Sequence, residues 1–220
     1  LDCLLSKHKI ASNYGKSYYP SDYSPNAGWA DYYGNEDFFK AYPNDDRKEW
    51  NYMTEWKIKS GEIIPYTESA DKLPAISKYY DYDEGAPGKS AQSNGITCIY
   101  RYAEVLLMYA EASTRATNSV NQDALNAIQE VQKRAGYQNR QIELTTTTEP
   151  AAFLTAVSNE RGWEFFAEMK RWFELVRLEK VKEVRAEEWD ASTFNTNHHY
   201  YFPVPYQQVD LAGWTNNAGY

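Results

Sequence analysis

Helical periodicity that begins abruptly after residue 95 is the strongest constraint this sequence places on a fold. From Ile96 onward, Ile99, Tyr102, Ala103, Leu106, Leu107 and Ala110 recur at the spacing of one buried helical stripe, which predicts a helix over about 97–116. Ser119 and Gln122 then fit a capping box, Leu125, Ile128 and Val131 with Ala124 and Ala135 make a second stripe, and Gly136 supplies a stop. Together they predict a helical hairpin joined by a short polar turn. A third helical stretch begins near Pro150, tolerated in a first turn because its missing N–H would have no partner there. It runs to about Leu178 with room for a break, along the apolar line Leu154, Val157, Phe165, Met169, Trp172 and Val176. Arg161 continues that line between Val157 and Phe165, so a guanidinium is expected on the core face.

Residues 1–95 behave differently. They hold most of the prolines, are crowded with Tyr, Asn, Asp, Ser and Gly, and sustain neither the helical nor the strand period, so they read as long loops with short strands. Trp50, Tyr52 and Trp56 look like one face of such a strand. Because structureless loops beyond about 15 residues are uncommon in a compact domain, this half is expected to decorate a scaffold that these residues do not contain. The opening Leu1-Asp2-Cys3 has no initiator Met, no signal-peptide run and no small residues ahead of the cysteine, which puts the expected natural N-terminus upstream. The fold class is mainly α, with a loop-rich region over 1–95 and a helical region over 96–220.

Composition narrows the function classes. With 42% hydrophobic and 25% charged residues the chain can bury a core, while 31 acidic against 23 basic residues give a net charge of −8. That balance lacks the positive charge from which nucleic-acid binding draws most of its affinity. Apolar runs fall far short of the roughly 20 residues a membrane-spanning helix requires. Cys3 and Cys98 form no CxxC and no zinc-ligand spacing, and whether they pair is open.

Three groups of residues could carry chemistry. Glu160, Glu164 and Glu168 form a ladder at i, i+4 and i+8, with Arg161, Arg171 and Arg177 nearby and Trp163 and Trp172 adjacent. Paired carboxylates beside tryptophans suit glycoside hydrolysis, which needs one carboxyl held protonated. Surrounding arginines favour ionised carboxylates, so a structural ion network is the expected role. His198 and His199 are adjacent, and on an extended chain would point to opposite faces, unsuited to sharing a metal. The third group is the aromatic cluster Tyr14, Tyr18, Tyr19, Tyr23, Trp29, Tyr32 and Tyr33, interleaved with Asn13, Asp22, Asn26, Asp31 and Asn35. A pyranose face laid on an indole covers on the order of 100 Å², contributing about 2.5 kcal/mol. Amides and carboxylates at the rim would fix the hydroxyls. On this reading Tyr23, Asn26, Trp29, Asp31, Tyr32 and Tyr33 form a glycan site; the alternative is that such rings glue loops to the scaffold.

Four segments resemble the SusD/RagB family. These are Arg101-Tyr102-Ala103-Glu104-Val105-Leu106-Leu107-Met108-Tyr109-Ala110-Glu111-Ala112, then Ala127 to Gly136, then Glu160-Arg161-Gly162-Trp163-Glu164 with Arg171-Trp172-Phe173-Glu174-Leu175, and finally Phe202-Pro203-Val204-Pro205 leading to Asn216-Asn217-Ala218-Gly219-Tyr220. Gln132, Glu174 and Ala218 depart from the family's usual Arg, Asp and Pro. Phe38 to Arg47 and Lys78 to Tyr80 match more loosely. The resemblance implies the C-terminal part of a SusD-like α-helical fold whose tetratricopeptide-like N-terminal half lies elsewhere. It further implies a surface-exposed outer-membrane lipoprotein of Bacteroidetes-type bacteria, anchored by a lipid outside this chain. Such a protein would serve polysaccharide utilisation by passing glycan to a SusC-like TonB-dependent transporter, without cofactor or hydrolysis. A peptide-binding receptor of the same family and, further off, a glycoside hydrolase are the alternatives.

Overall fold

The computed structural model describes residues 14–24, 27–79, 98–184 and 195–220. Two compact units divide the chain, Leu1–Glu168 and Met169–Tyr220.

In the first unit, the region without periodicity holds short elements. Helices α1 (Tyr14–Tyr18), α2 (Glu36–Ala41) and α3 (Asp46–Asn51) precede strands β1 (Tyr52–Met53), β2 (Glu55–Lys57), β3 (Ile63–Pro65) and β4 (Ala75–Ile76). Asn35 begins α2 by accepting from the Phe38 N–H, and Asp45 begins α3 by accepting from the Arg47 and Lys48 N–H groups. The strands form two antiparallel ladders, β1 with β4 and β2 with β3, Trp56 facing Ile64. Tyr52 and Trp56 are buried, as a packed strand face requires. Trp50 is not part of that face: it lies in α3 and is exposed.

Three longer helices build the core: α4 (Tyr102–Thr117), α5 (Gln122–Arg134) and α6 (Pro150–Glu164). Leu107 and Ala110 of α4, Ile128 and Val131 of α5, and Phe153 and Val157 of α6 meet there, with Ala103, Ala124 and Ala127 keeping the helices close. The mainly α class is borne out, and the boundaries differ for local reasons. Arg101 is extended (φ −148, ψ 160), so α4 starts at Tyr102, and Ile99 and Tyr102 are exposed instead of joining the stripe. Asn118 in the left-handed region ends α4. Asn121 caps α5, its side chain accepting from the Ala124 N–H at 2.8 Å, whereas Ser119 donates to Thr117 Oγ1 at 2.9 Å. Gly136 (φ +85) supplies the expected stop.

Pro150 opens α6 as expected, and Arg161 and Phe165 lie buried. The core position at the start of the helix belongs to Phe153, one residue before the expected Leu154. Ala167 (φ +59) and Met169 (φ +60) break the helical path, which leaves Met169 exposed and outside the apolar line.

The second unit contains α7 (Arg171–Arg177), α8 (Val181–Val184), α9 (Thr196–His199) and α10 (Tyr206–Ala212). Leu175 and Val181 are buried. The last residues fold back on the proline-containing segment. Asn216 Oδ1 accepts from the Val204 N–H at 2.8 Å, Asn217 Nδ2 donates to the Phe202 carbonyl at 2.6 Å, and the Tyr220 hydroxyl donates to the Tyr201 carbonyl at 3.0 Å. Gly219 is required beside them: its φ is +94, and a Cβ there would lie 2.7 Å from the His198 ring. His198 and His199 sit in α9 with rings stacked, centroids 4.7 Å apart at 3°, so the expectation of opposite faces on an extended chain fails. Among the described residues no helix is long and apolar enough to cross a membrane.

Candidate functional site

The aromatic cluster is built on α1. Residues 28–32 run back along that helix, held by backbone bonds: Gly28 N–H to the Pro20 carbonyl at 2.9 Å, Trp29 N–H to Lys16 at 2.8 Å, Ala30 N–H to Tyr19 at 3.1 Å and Asp31 N–H to Ser17 at 2.9 Å. The fit is tight at Gly28, where a Cβ would lie 1.9 Å from the Tyr19 carbonyl oxygen. Ala30 takes a left-handed φ of +55, which turns the chain between Trp29 and Asp31. Gly28→Ala is expected to cost about 1–3 kcal/mol through overpacking, read as a lower urea midpoint at unchanged slope.

This path separates rings that are alike in sequence. Tyr18 and Tyr19 are buried, Tyr18 stacked on Tyr79 (5.6 Å, 11°) and Tyr19 against Tyr23 (5.2 Å). Tyr23 is half-buried and bridges Ile58, and Asp22 accepts from Trp56 Nε1 at 2.7 Å. Tyr33 is also half-buried and donates to Asp71, and burial together with that bond pushes its phenol pKa up. Trp29 and Tyr32, by contrast, are 49% and 59% exposed, with Asp31 exposed between them. The Lys16 ammonium lies 4.9 Å from the Trp29 centroid, and Tyr32 leans on Tyr18 at 5.6 Å. Asn26 lies outside the described residues. Of the six expected site residues, Trp29, Asp31 and Tyr32 are thus presented together on one pinned loop, while Tyr23 and Tyr33 serve partly as its support.

The glutamate ladder has a different character. Glu160 is completely buried; its Oε1 accepts from Arg47 Nη1 at 2.7 Å and its Oε2 from the Tyr137 hydroxyl at 3.1 Å and Gln132 Nε2 at 3.3 Å. Glu164 Oε2 accepts from Arg47 at 2.8 Å, and its Oε1 from Arg101 and Arg134. Glu168 is held by Arg101 and by Lys78, whose Nζ is 2.5 Å from Oε1. The ion network is therefore present, but its cations are not those nearest in sequence. Arg171 pairs with Glu174 at 3.1 Å, and Arg161 lies 3.7 Å from Glu104. Arg47 and Lys78 belong to the two segments that resemble the family only loosely, the one sequence signal that could have named them.

Burial pushes Glu164 upward, but Arg101, Arg134 and Arg47 outweigh it and hold its carboxyl below the usual range. For Glu160 burial wins over Arg47, Gln132 and Tyr137 and pushes the carboxyl up. The expectation that cations would keep every rung low fails at Glu160 because it has one arginine where Glu164 has three. A raised and a lowered carboxyl one turn apart resemble an acid–base pair. Yet both Glu160 oxygens are already occupied and the side chain is sealed from solvent, so a glycosidic oxygen has no approach to it.

The family model for the SusD family matches residues 7–220. The chain belongs to the SusD family. A SusD-like protein, P2, from Formosa agariphila is 28% identical over 200 residues, 82% of this chain and 39% of that protein. A SusD superfamily protein from Parabacteroides distasonis superposes with a TM-score of 0.74 at 22% identity, over 94% of this chain and 47% of that one. Surface glycan-binding protein A from Bacteroides uniformis superposes with a TM-score of 0.66 at 22% identity, over 94% and 47%. The chain thus spans less than half the length of each of these SusD-like proteins, and the likeness shows a SusD-like fold.

Proposed function

We propose that this chain is the ligand-reading portion of a cell-surface glycan receptor, with the loop-rich residues 1–95 turned toward the ligand and 96–220 as its helical support. The observation that carries this reading is the pinned loop on which Trp29 and Tyr32 stand exposed about Asp31. Two rings with apolar faces and a carboxylate between them suit a sugar, whose faces are apolar and whose rim is hydroxyl. Family membership and the glycan-binding role printed in the name of the Bacteroides uniformis neighbour support the same class. The receptor would be a lipid-anchored protein of the outer-membrane surface and would hand its ligand to a SusC-like TonB-dependent transporter. It would bind without cleaving, because the carboxylates that could cleave are enclosed in the ion network.

Calorimetric titration of the full-length protein against a polysaccharide panel tests the reading. Trp29→Ala and Tyr32→Ala are each expected to weaken glycan binding by up to about 70-fold, the equivalent of about 2.5 kcal/mol of ring contact. Absence of binding to every glycan, or binding unchanged in both variants, would overturn it, and capture of oligopeptides would transfer the site to peptide. Release of cleaved glycan, abolished by Glu164→Gln in a folded protein, would make it a hydrolase.

A further inference from the structure

Helix α4 is apolar on two opposed sides, and one of them lies open. Ala103, Leu107 and Ala110 face the core, whereas Tyr102, Val105 and Tyr109 are 67%, 53% and 45% exposed, with Met108 exposed beside them. Tyr102, Val105, Tyr109 and Ala112 recur at i, i+3, i+7 and i+10, the spacing of a seam between packed helices. A helix apolar all round is one that a larger assembly buries. Its neighbour α5 contrasts with it: the exposed positions Gln122, Asp123, Asn126, Glu130 and Lys133 are all polar. The open stripe therefore belongs to α4 specifically and is no general property of this surface.

The SusD-like proteins matched by the chain extend well beyond it, since it covers 39% of one and 47% of another. We infer that the open face of α4 is an internal packing surface, covered by a helix from the part of the same polypeptide outside residues 1–220. No charge interrupts Tyr102, Val105 and Tyr109, so the covering helix presents an aliphatic or small-residue stripe to them. The tyrosine rings contribute apolar area there while their hydroxyls reach the edge of the contact. This surface is separate from the Trp29–Tyr32 loop, and the inference holds whatever that loop binds.

The test uses the full-length protein with Cys3 and Cys98 replaced by serine. Thiol labelling of Val105→Cys is expected to be at least about 100-fold slower than that of Glu130→Cys, because a covered thiol reacts only when the contact opens. In parallel, the photoreactive p-benzoylphenylalanine is placed at position 109, or at 108 where that protein fails to fold, and the cross-linked peptide is mapped by mass spectrometry. The inference expects a cross-link within one polypeptide to a peptide outside residues 1–220. Equal labelling at the two cysteines, a cross-link to a second copy or to residues of this chain, or the absence of any cross-link would each overturn it.

Discussion

Arg47→Met is expected to lower stability at neutral pH by about 3–5 kcal/mol, the cost of leaving buried charges without their partner. Arg47 is 13% exposed and holds three carboxylates at once: Asp45 at 2.5 Å, Glu160 at 2.7 Å and Glu164 at 2.8 Å. Methionine fills most of the volume and removes only the cation, so packing is a small part of the loss. The effect carries a pH signature. Glu164 is held low in the native protein, so its contribution is present above the pKa it has when unfolded and is lost as pH falls through its lower folded value. Glu160 runs the other way: with its folded carboxyl raised, its contribution is full below the unfolded pKa and is lost as pH rises through the folded one. Without Arg47 all three carboxylates rise and take up protons on mild acidification. The gap between the two proteins, measured as urea midpoints, is therefore expected to narrow between neutral pH and about pH 4. A gap that stayed constant would mean that lost packing, not unpaired charge, dominates.

Phe153→Ala should match that loss in size and differ from it in kind. Phe153 is completely buried among α4, α5 and α6, and truncating such a ring costs about 3–5 kcal/mol through lost burial and the cavity left behind. No titrating group is removed, so the same pair of measurements is expected to give equal losses at both pH values. Together the two variants divide the stability of the first unit into a charge-held part and a packing-held part.

How far the sequence went in foretelling this structure depended on the range of each interaction. The stripes of α4 and α5, the stop at Gly136 and the buried Arg161 follow from residues three or four apart, and all were legible. Phases fixed by contacts beyond the helix were less so, as Phe153 in place of Leu154 shows. Ile99 and Tyr102 match the helical period equally well, but Arg101 keeps the chain extended until α4 begins, and Tyr102 then faces outward. The ladder announced an ion network without naming its cations, because Arg47 lies 113 residues from Glu160 and no local pattern connects them. In the aromatic cluster, Tyr18 and Tyr32 look alike as sequence. What separates buried from exposed rings is the route of the chain past Gly28 and Ala30, a consequence of backbone packing that composition does not encode.

Arg47 and Lys78 also bear on how such a protein can change over generations. The aromatic loop rests on residues 52–79, through Trp56 bonded to Asp22, Tyr33 bonded to Asp71 and Tyr79 stacked on Tyr18. That layer in turn meets the ladder through Arg47 at Glu160 and Glu164 and through Lys78 at Glu168. Charged anchors of this kind depend on the few residues that form them and are indifferent to the sequence strung between. Mutation can rewrite the loops while the anchors and their glutamates are inherited unchanged, so one helical scaffold can descend through lineages that feed on different molecules.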